Sequence, residues 1–181
     1  AQEVLPPVHK YNTDTYGNHK LAGLTSDPVN IVSGSDKTLC GIVDLNNVNW
    51  ENSGICRKSR PDSEHPAVTD FYEKTIDRID DPTGFWKVLK EMGYTKVFVA
   101  SSENQPWGYL SNAFLIHESV QSDIDWNSAT VLEHTPFTSN SHKFREHTLE
   151  NFCEGRVTQF LRTKSGILLC NTHLDVHDTI K

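Results

Sequence analysis

The stretch NTHLDVHD, residues 171–178, carries the side chains of this chain best suited to chemistry. The run ILLCNTHLDV that contains it is apolar and β-branched, as expected of a strand. Strand alternation then puts Ile167, Leu169, Asn171, His173, Asp175 and His177 on one face, with Leu168, Cys170, Thr172, Leu174 and Val176 on the other. His173, Asp175 and His177 recur along that face at about 7 Å intervals. Two imidazoles and a carboxylate are divalent-cation ligand types, but at this spacing a metal needs further ligands from elsewhere, so its identity stays unknown. The bland alternative is a strand that leaves the core and turns polar as it meets solvent.

The elements that must position these residues follow from pattern. Residues 1–35 are rich in Asn, Asp, Gly, Thr and Pro without a sustained period, which predicts an extended N-terminal arm that packing must tie down. TLCGIVDLNNVNW predicts a core strand whose end opens into a polar asparagine loop, and NSGICRKSRPDSEHP reads as loop. From Pro66 the period becomes helical, with Val68, Phe71, Tyr72, Ile76 and Ile79 on one side. Pro66 suits the first turn, where its missing N–H costs nothing. Asp80, Asp81 and Pro82 stop that helix. Thr83 is placed to cap a second one with Phe85, Trp86, Leu89 and Met92 as its apolar face, closed by Gly93.

Beyond Gly93 the pattern is β. TKVFVASS and GYLSNAFLIHES form one expected hairpin, ATVLEHTPF a further strand, and RVTQFLRT with ILLCNTHLDV a second hairpin joined by KSG. The expected fold class is α/β or α+β, a mixed or antiparallel sheet with two short helices, in a single domain over 1–181. A self-contained antiparallel β-rich fold is the alternative.

Composition bounds the function. A chain of 181 residues can bury roughly 70% of its unfolded surface. A hydrophobic share of 36% and a charged share of 23% are those of a globular protein. The net charge of −7 argues against a general electrostatic grip on nucleic acid, which needs a basic surface. No apolar run approaches the roughly 20 residues that span a bilayer, so no membrane segment is expected. The polar, Pro-interrupted start AQEVLPPVHKYN fits a mature chain whose signal peptide has been removed. The four cysteines, Cys40, Cys56, Cys153 and Cys170, lack C-x-x-C spacing, which disfavours a zinc knuckle. Two disulfides in a secreted protein are expected instead. Of the three pairings, Cys40–Cys56 with Cys153–Cys170 keeps each bridge within its own half of the chain.

One resemblance spans Thr38 to Asp178. ILLCNTHLDV is similar to the strand ending in Asn-Thr-His-Leu of the endonuclease/exonuclease/phosphatase superfamily, to which DNase I-like nucleases and inositol phosphatases belong. SNAFLI is similar to that family's GNAILS-type strand, and the order of the surrounding elements resembles the family's first half. The resemblance implies part of a DNase I-like sandwich. It implies that His173 orients or stabilises the scissile phosphate, and that Asn46, or else Asn49, ends the first strand near metal and phosphate. Phosphoryl transfer rests largely on positioning and charge stabilisation, which imidazole and carboxamide groups can supply.

The departures from the family are equally specific. Its metal-binding glutamate sits in an LQE strand after the first helix, whereas DRIDDPTGFW runs from helix to helix. Glu3, in AQEV, has the right neighbours but precedes the first strand. The family's GDxN aspartate and terminal SDH would fall beyond Lys181. Without Mg²⁺ and a base, phosphodiester hydrolysis loses its main sources of barrier reduction. The expected protein is therefore a secreted, non-catalytic relative that serves as a ligand-binding, carrier or storage subunit of an oligomer, with no cofactor. Asn46, Asn49, Asp175 and His177 are its candidate ligand-binding residues. A second copy or another polypeptide would cover the open sheet. The alternative is a Mg²⁺-dependent phosphodiesterase or nuclease completed by a partner chain, with His173 catalytic. Trp50, Trp86, Trp107 and Trp126 are candidates for an apolar ligand pocket or for core. Histidines such as His117, His134, His142 and His147 are candidates for pH-dependent assembly.

Overall fold

The computed structural model describes residues 4–9, 20–33, 38–55, 83–101, 111–134 and 156–173. They form a mixed α+β structure, mostly β-sheet with few short helices. In chain order the elements are β1 (Pro7–His9), β2 (Asn30–Ser33), β3 (Leu39–Asp44), β4 (Ser53–Ile55), α1 (Gly84–Glu91), β5 (Lys96–Ser101), β6 (Asn112–Ile116), β7 (Ile124–His134), β8 (Arg156–Thr163) and β9 (Leu168–Thr172). Three short 3₁₀ segments, Leu45–Asn47, Trp50–Asn52 and Glu118–Asp123, link them.

The strand at the centre of the molecule is β5. Val97 through Ser101 are buried without interruption, the signature of a strand covered on both faces. It pairs antiparallel with β3 on one side and β6 on the other. One face of this three-stranded sheet carries Val43, Val97, Val99 and Ala113, packed under Val8, Leu21, Ala22 and Trp86. The other carries Ile42, Phe98, Ala100 and Ile116, packed against Ala129, Val131, Val157 and Leu161. Those last four belong to a second sheet of order β2–β7–β8–β9, in which only β2 runs parallel to its neighbour. The described layers are therefore the N-terminal segment with α1, the three-stranded sheet, and the four-stranded sheet.

The N-terminal arm is tied down as its composition requires. Val8, Leu21 and Ala22 are buried, β1 pairs with β4, and Val4 bridges Ser111 through reciprocal backbone bonds of 2.9 and 2.8 Å. Strands β1, β2 and β4 were not predicted. Each is three or four residues long, too short to show alternation, and exists because a partner from another part of the chain lies beside it.

The helix expected over Pro66–Ile79 lies outside the described residues. The second helix is present, and Gly93 ends it at φ +87°, where glycine avoids the Cβ penalty. Its buried face is narrower than predicted. Trp86 is fully buried, its indole N–H donating to the Leu5 carbonyl at 2.9 Å, and Leu89 packs partly on the core. Phe85 and Met92 are 50% and 59% exposed. A helix lying on one layer buries a single stripe, and the stripe through Trp86 and Leu89 leaves Phe85 and Met92 on its flank. Thr83 occupies the N-cap without a side-chain cap bond.

Both predicted hairpins form, the second with Gly166 at φ +93° in its turn. The strand expected at Ala129 begins at Ile124, because Ser128 mends an irregularity after Asp125: its hydroxyl donates to the Asp125 carbonyl at 2.6 Å and accepts from the Arg162 N–H at 2.7 Å. Cys40 and Cys170 are free thiols, while Cys56 and Cys153 lie outside the described residues. No disulfide joins described residues.

Candidate functional site

His173 follows directly on β9, at one end of the sandwich, and is half-buried. The ladders fix what shares that end. Thr172 pairs with Thr158, and their hydroxyls are hydrogen-bonded at 2.9 Å. Val157 pairs with Glu133 and Arg156 with His134. Across the gap between sheets, the Asn112 amide donates to the Val157 carbonyl at 2.9 Å. Asn112 in turn pairs with Ala100, and Ala100 with Cys40. His173, Asn112, Glu133 and the thiol of Cys40 thus gather at the same mouth of the space between the sheets, while Arg156 begins β8 at that end in the strand phase opposite to Val157. The buried Ser111 hydroxyl at this end has no hydrogen-bond partner among the described residues.

Behind the mouth lies a chain of carboxamides. Gln159 is fully buried in the phase that otherwise carries Val157 and Leu161. Its amide donates to the Phe98 carbonyl at 2.8 Å, tying the four-stranded sheet to the three-stranded one. Its oxygen accepts from the Asn171 amide at 2.9 Å, and Asn171 also reaches the Ala113 carbonyl at 3.4 Å. The end of β9 is therefore held by directional bonds, and His173 follows Asn171 by one strand period.

Electrostatics at the mouth are set by burial. The Thr38 hydroxyl donates to the Glu133 carboxylate. Burial pushes the Cys40 thiol up to about 11, with the Glu133 charge adding to the effect, so Cys40 stays protonated at neutral pH. Among the described residues no three or more His, Cys, Asp and Glu side chains converge as a metal site. The described residues therefore do not by themselves fit the Mg²⁺ that the DNase I-like resemblance implies.

The other predicted site residues lie elsewhere. In the antiparallel ladder Leu39 faces Ser101 while Asp44 faces Lys96, so Asn46 and Asn49, which follow β3, are at the far end. The length of β3 alone separates them from the His173 end by roughly 17 Å. There the Asp44 carboxylate accepts from the Asn46 N–H at 2.9 Å, and Asn46 borders a cleft of about 390 Å³ with Lys90, Thr95, His117 and Glu118. The Asn49 side chain accepts from the Glu51 N–H at 3.1 Å, capping a 3₁₀ turn. Asp175 and His177 lie outside the described residues. The described tryptophans do not share a pocket: Trp86 is core, Trp50 packs on the first core, and Trp126 on the second, under the Lys96 ammonium at 4.1 Å. Trp107, His142 and His147 lie outside the described residues.

Sequence reasoning missed Gln159, Asn112 and Glu133. For Gln159 the signal was present, since a carboxamide in the apolar phase of RVTQFLRT marks a buried polar contact. No helix among the described residues is long and apolar enough to cross a membrane. No protein-family model, curated protein or solved structure matches this chain.

Proposed function

We propose that this chain is a secreted, non-catalytic relative of the DNase I-like phosphohydrolases that serves as a ligand-binding, carrier or storage subunit of an oligomer, holding a phosphorylated ligand at the His173 mouth. One observation carries the reading: the ladders gather His173 and Asn112 at one end and leave Asn46 and Asn49 at the other. Imidazole and carboxamide donors suit a phosphate oxygen. The asparagine that the family resemblance would add to them is a strand's length away, which favours binding over hydrolysis. The second chain of the oligomer would pair with an open sheet edge.

The test is NMR of the full chain with labelled histidine, titrated with inorganic phosphate, beside native mass spectrometry. Saturable shifts of the His173 ring resonances, abolished in His173→Ala, and an oligomeric mass are expected. The alternative, a Mg²⁺-dependent phosphodiesterase completed by a partner chain, draws on the presence of the Glu133 carboxylate at the same mouth. Mg²⁺-dependent cleavage of bis(4-nitrophenyl) phosphate that disappears in His173→Ala would replace the binding reading with that one.

A further inference from the structure

A groove of about 570 Å³ runs along the outer edge of β3, with Leu21, Leu24 and Leu39 as its apolar surface and His9 and Lys20 at its side. It exists because the N-terminal segment meets β3 over only part of its length. The Thr25 N–H donates to the Ile42 carbonyl at 2.8 Å, the Asp44 N–H donates to the Gly23 carbonyl at 2.9 Å, and Leu24 bridges Val43. From Leu39 to Gly41 no described strand lies against that edge. Leu24 leans over this stretch instead. A Cβ built on Gly41 would meet Leu24 Cδ1 at 2.3 Å, so the leucine rests directly on strand backbone. Leu24 is nevertheless 57% exposed, an apolar floor turned to water rather than to core.

Among the described residues the charged side chain that lines the groove is opposite in sign to the protein's net charge. The chain carries a net −7, yet no described Asp or Glu lines the groove, whereas Lys20 and His9 do. Two described carboxylates adjoin it: Glu133 acts on Cys40 and is engaged by the Thr38 hydroxyl, and Asp44 accepts from the Asn47 amide at 3.3 Å and from the Asn46 N–H. Lys20 is exposed and has no ion-pair partner among the described residues. Cys40, neutral at physiological pH, adds an uncharged wall. A concave site of a few hundred Å³, apolar with a few charges at its side, is the usual form of a small-molecule site.

We propose that this groove binds a monomeric anionic amphiphile, a medium-chain carboxylate whose tail lies on Leu21, Leu24 and Leu39 and whose head meets Lys20 and His9. This site lies along the outer edge of β3 and meets the His173 mouth at Cys40, and its argument does not depend on what binds there. The test is calorimetric titration of the full chain with dodecanoate below its micellar concentration, beside dodecylamine and phosphatidylglycerol vesicles. Saturable binding of one dodecanoate per chain is expected, with none of the amine. Lys20→Gln, which loses a charge-assisted hydrogen bond, and Leu24→Gln, which loses apolar contact, should each weaken binding about tenfold. Both positions are exposed, so both variants should fold, which their circular dichroism checks. The proposal is overturned if dodecanoate does not bind, if the folded variants bind as wild type does, if the amine binds equally, or if only vesicles are bound.

Discussion

Replacing Gln159 by Leu removes the amide donated to Phe98 O at 2.8 Å and the oxygen that accepts from Asn171 at 2.9 Å. The side chain is fully buried, so water cannot replace either bond. Two net hydrogen bonds are worth about 1 kcal/mol each, and the Asn171 amide, which loses its acceptor at 2.9 Å, adds a desolvation penalty of similar size. Leucine recovers part of this through apolar burial, leaving a loss of about 2–3 kcal/mol. Asn171→Leu alone strands the Gln159 oxygen and should cost about 2 kcal/mol. In the double variant neither carboxamide remains to be stranded, so the two losses should fall short of additive by about 1–2 kcal/mol. Urea unfolding of the full chain measures all three. With a slope of about 2 kcal/mol per molar, the Gln159→Leu midpoint should drop by about 1 M. An unchanged midpoint, or a double variant that loses the full sum, would show that the two carboxamides do not act as a pair.

Three further expectations follow from local geometry. Gly93→Ala places a Cβ at φ +87° and 2.6 Å from His117 Nε2, so it should cost about 1–2 kcal/mol and lower the melting temperature by several degrees; an unchanged melting curve would contradict the strain. Burial works against ionisation of Asp27, but hydrogen bonds from Lys96 and Thr25, with the Lys96 charge, outweigh it and hold the carboxyl below its ordinary value of 3.8. Its stabilisation is therefore present above that value and lost as pH falls through the lower folded one. Asp27→Asn should cost about 0.5–1 kcal/mol at pH 7, a gap that closes in acid, and a gap independent of pH would refute the assignment. Peptide-resolved alkylation at pH 8 should modify exposed Cys170 far faster than Cys40, which at about 11 instead of 9.0 holds about a hundredfold less thiolate. Equal rates would remove the burial argument at Cys40.

What the sequence makes legible is what local pattern controls. The unbroken apolar run of β5, the glycine that ends α1 and the KSG turn between β8 and β9 each carry their cause within a few residues. The placement of Asn46 does not. Nothing in TLCGIVDLNN states whether its strand runs with or against TKVFVASS. The observed antiparallel register sends the asparagines to the end opposite His173. The same limit hides β2 and β4, whose pairing depends on segments far away in the chain. Gln159 is the instructive intermediate case. Its phase in RVTQFLRT announced a buried carboxamide, but its partners, Phe98 O and Asn171, are known only once two sheets face each other.

Among the described residues the space between the sheets carries its carboxamides toward the mouth, while the Lys96–Asp27 ion pair lies toward the opposite end. Away from the mouth it is filled by Phe98, Ile116, Ile124 and Leu161; toward the mouth come Gln159, Asn171 and Asn112. For burial alone, apolar side chains at both Gln159 and Asn171 would serve, since dispersion and apolar burial do not require satisfied donors. Carboxamides add direction: each bond fixes a distance and an angle between sheets that apolar side chains would let slide. The two bonds made by Asn171 constrain β9 against both sheets one strand period before His173. A ligand at the mouth then meets an imidazole whose backbone is already fixed, so less ordering entropy opposes binding. The proposed β3 groove lacks such a device. Its apolar surface is leucine and its Lys20 cation is exposed, which suits a ligand gripped by area and charge rather than by shape.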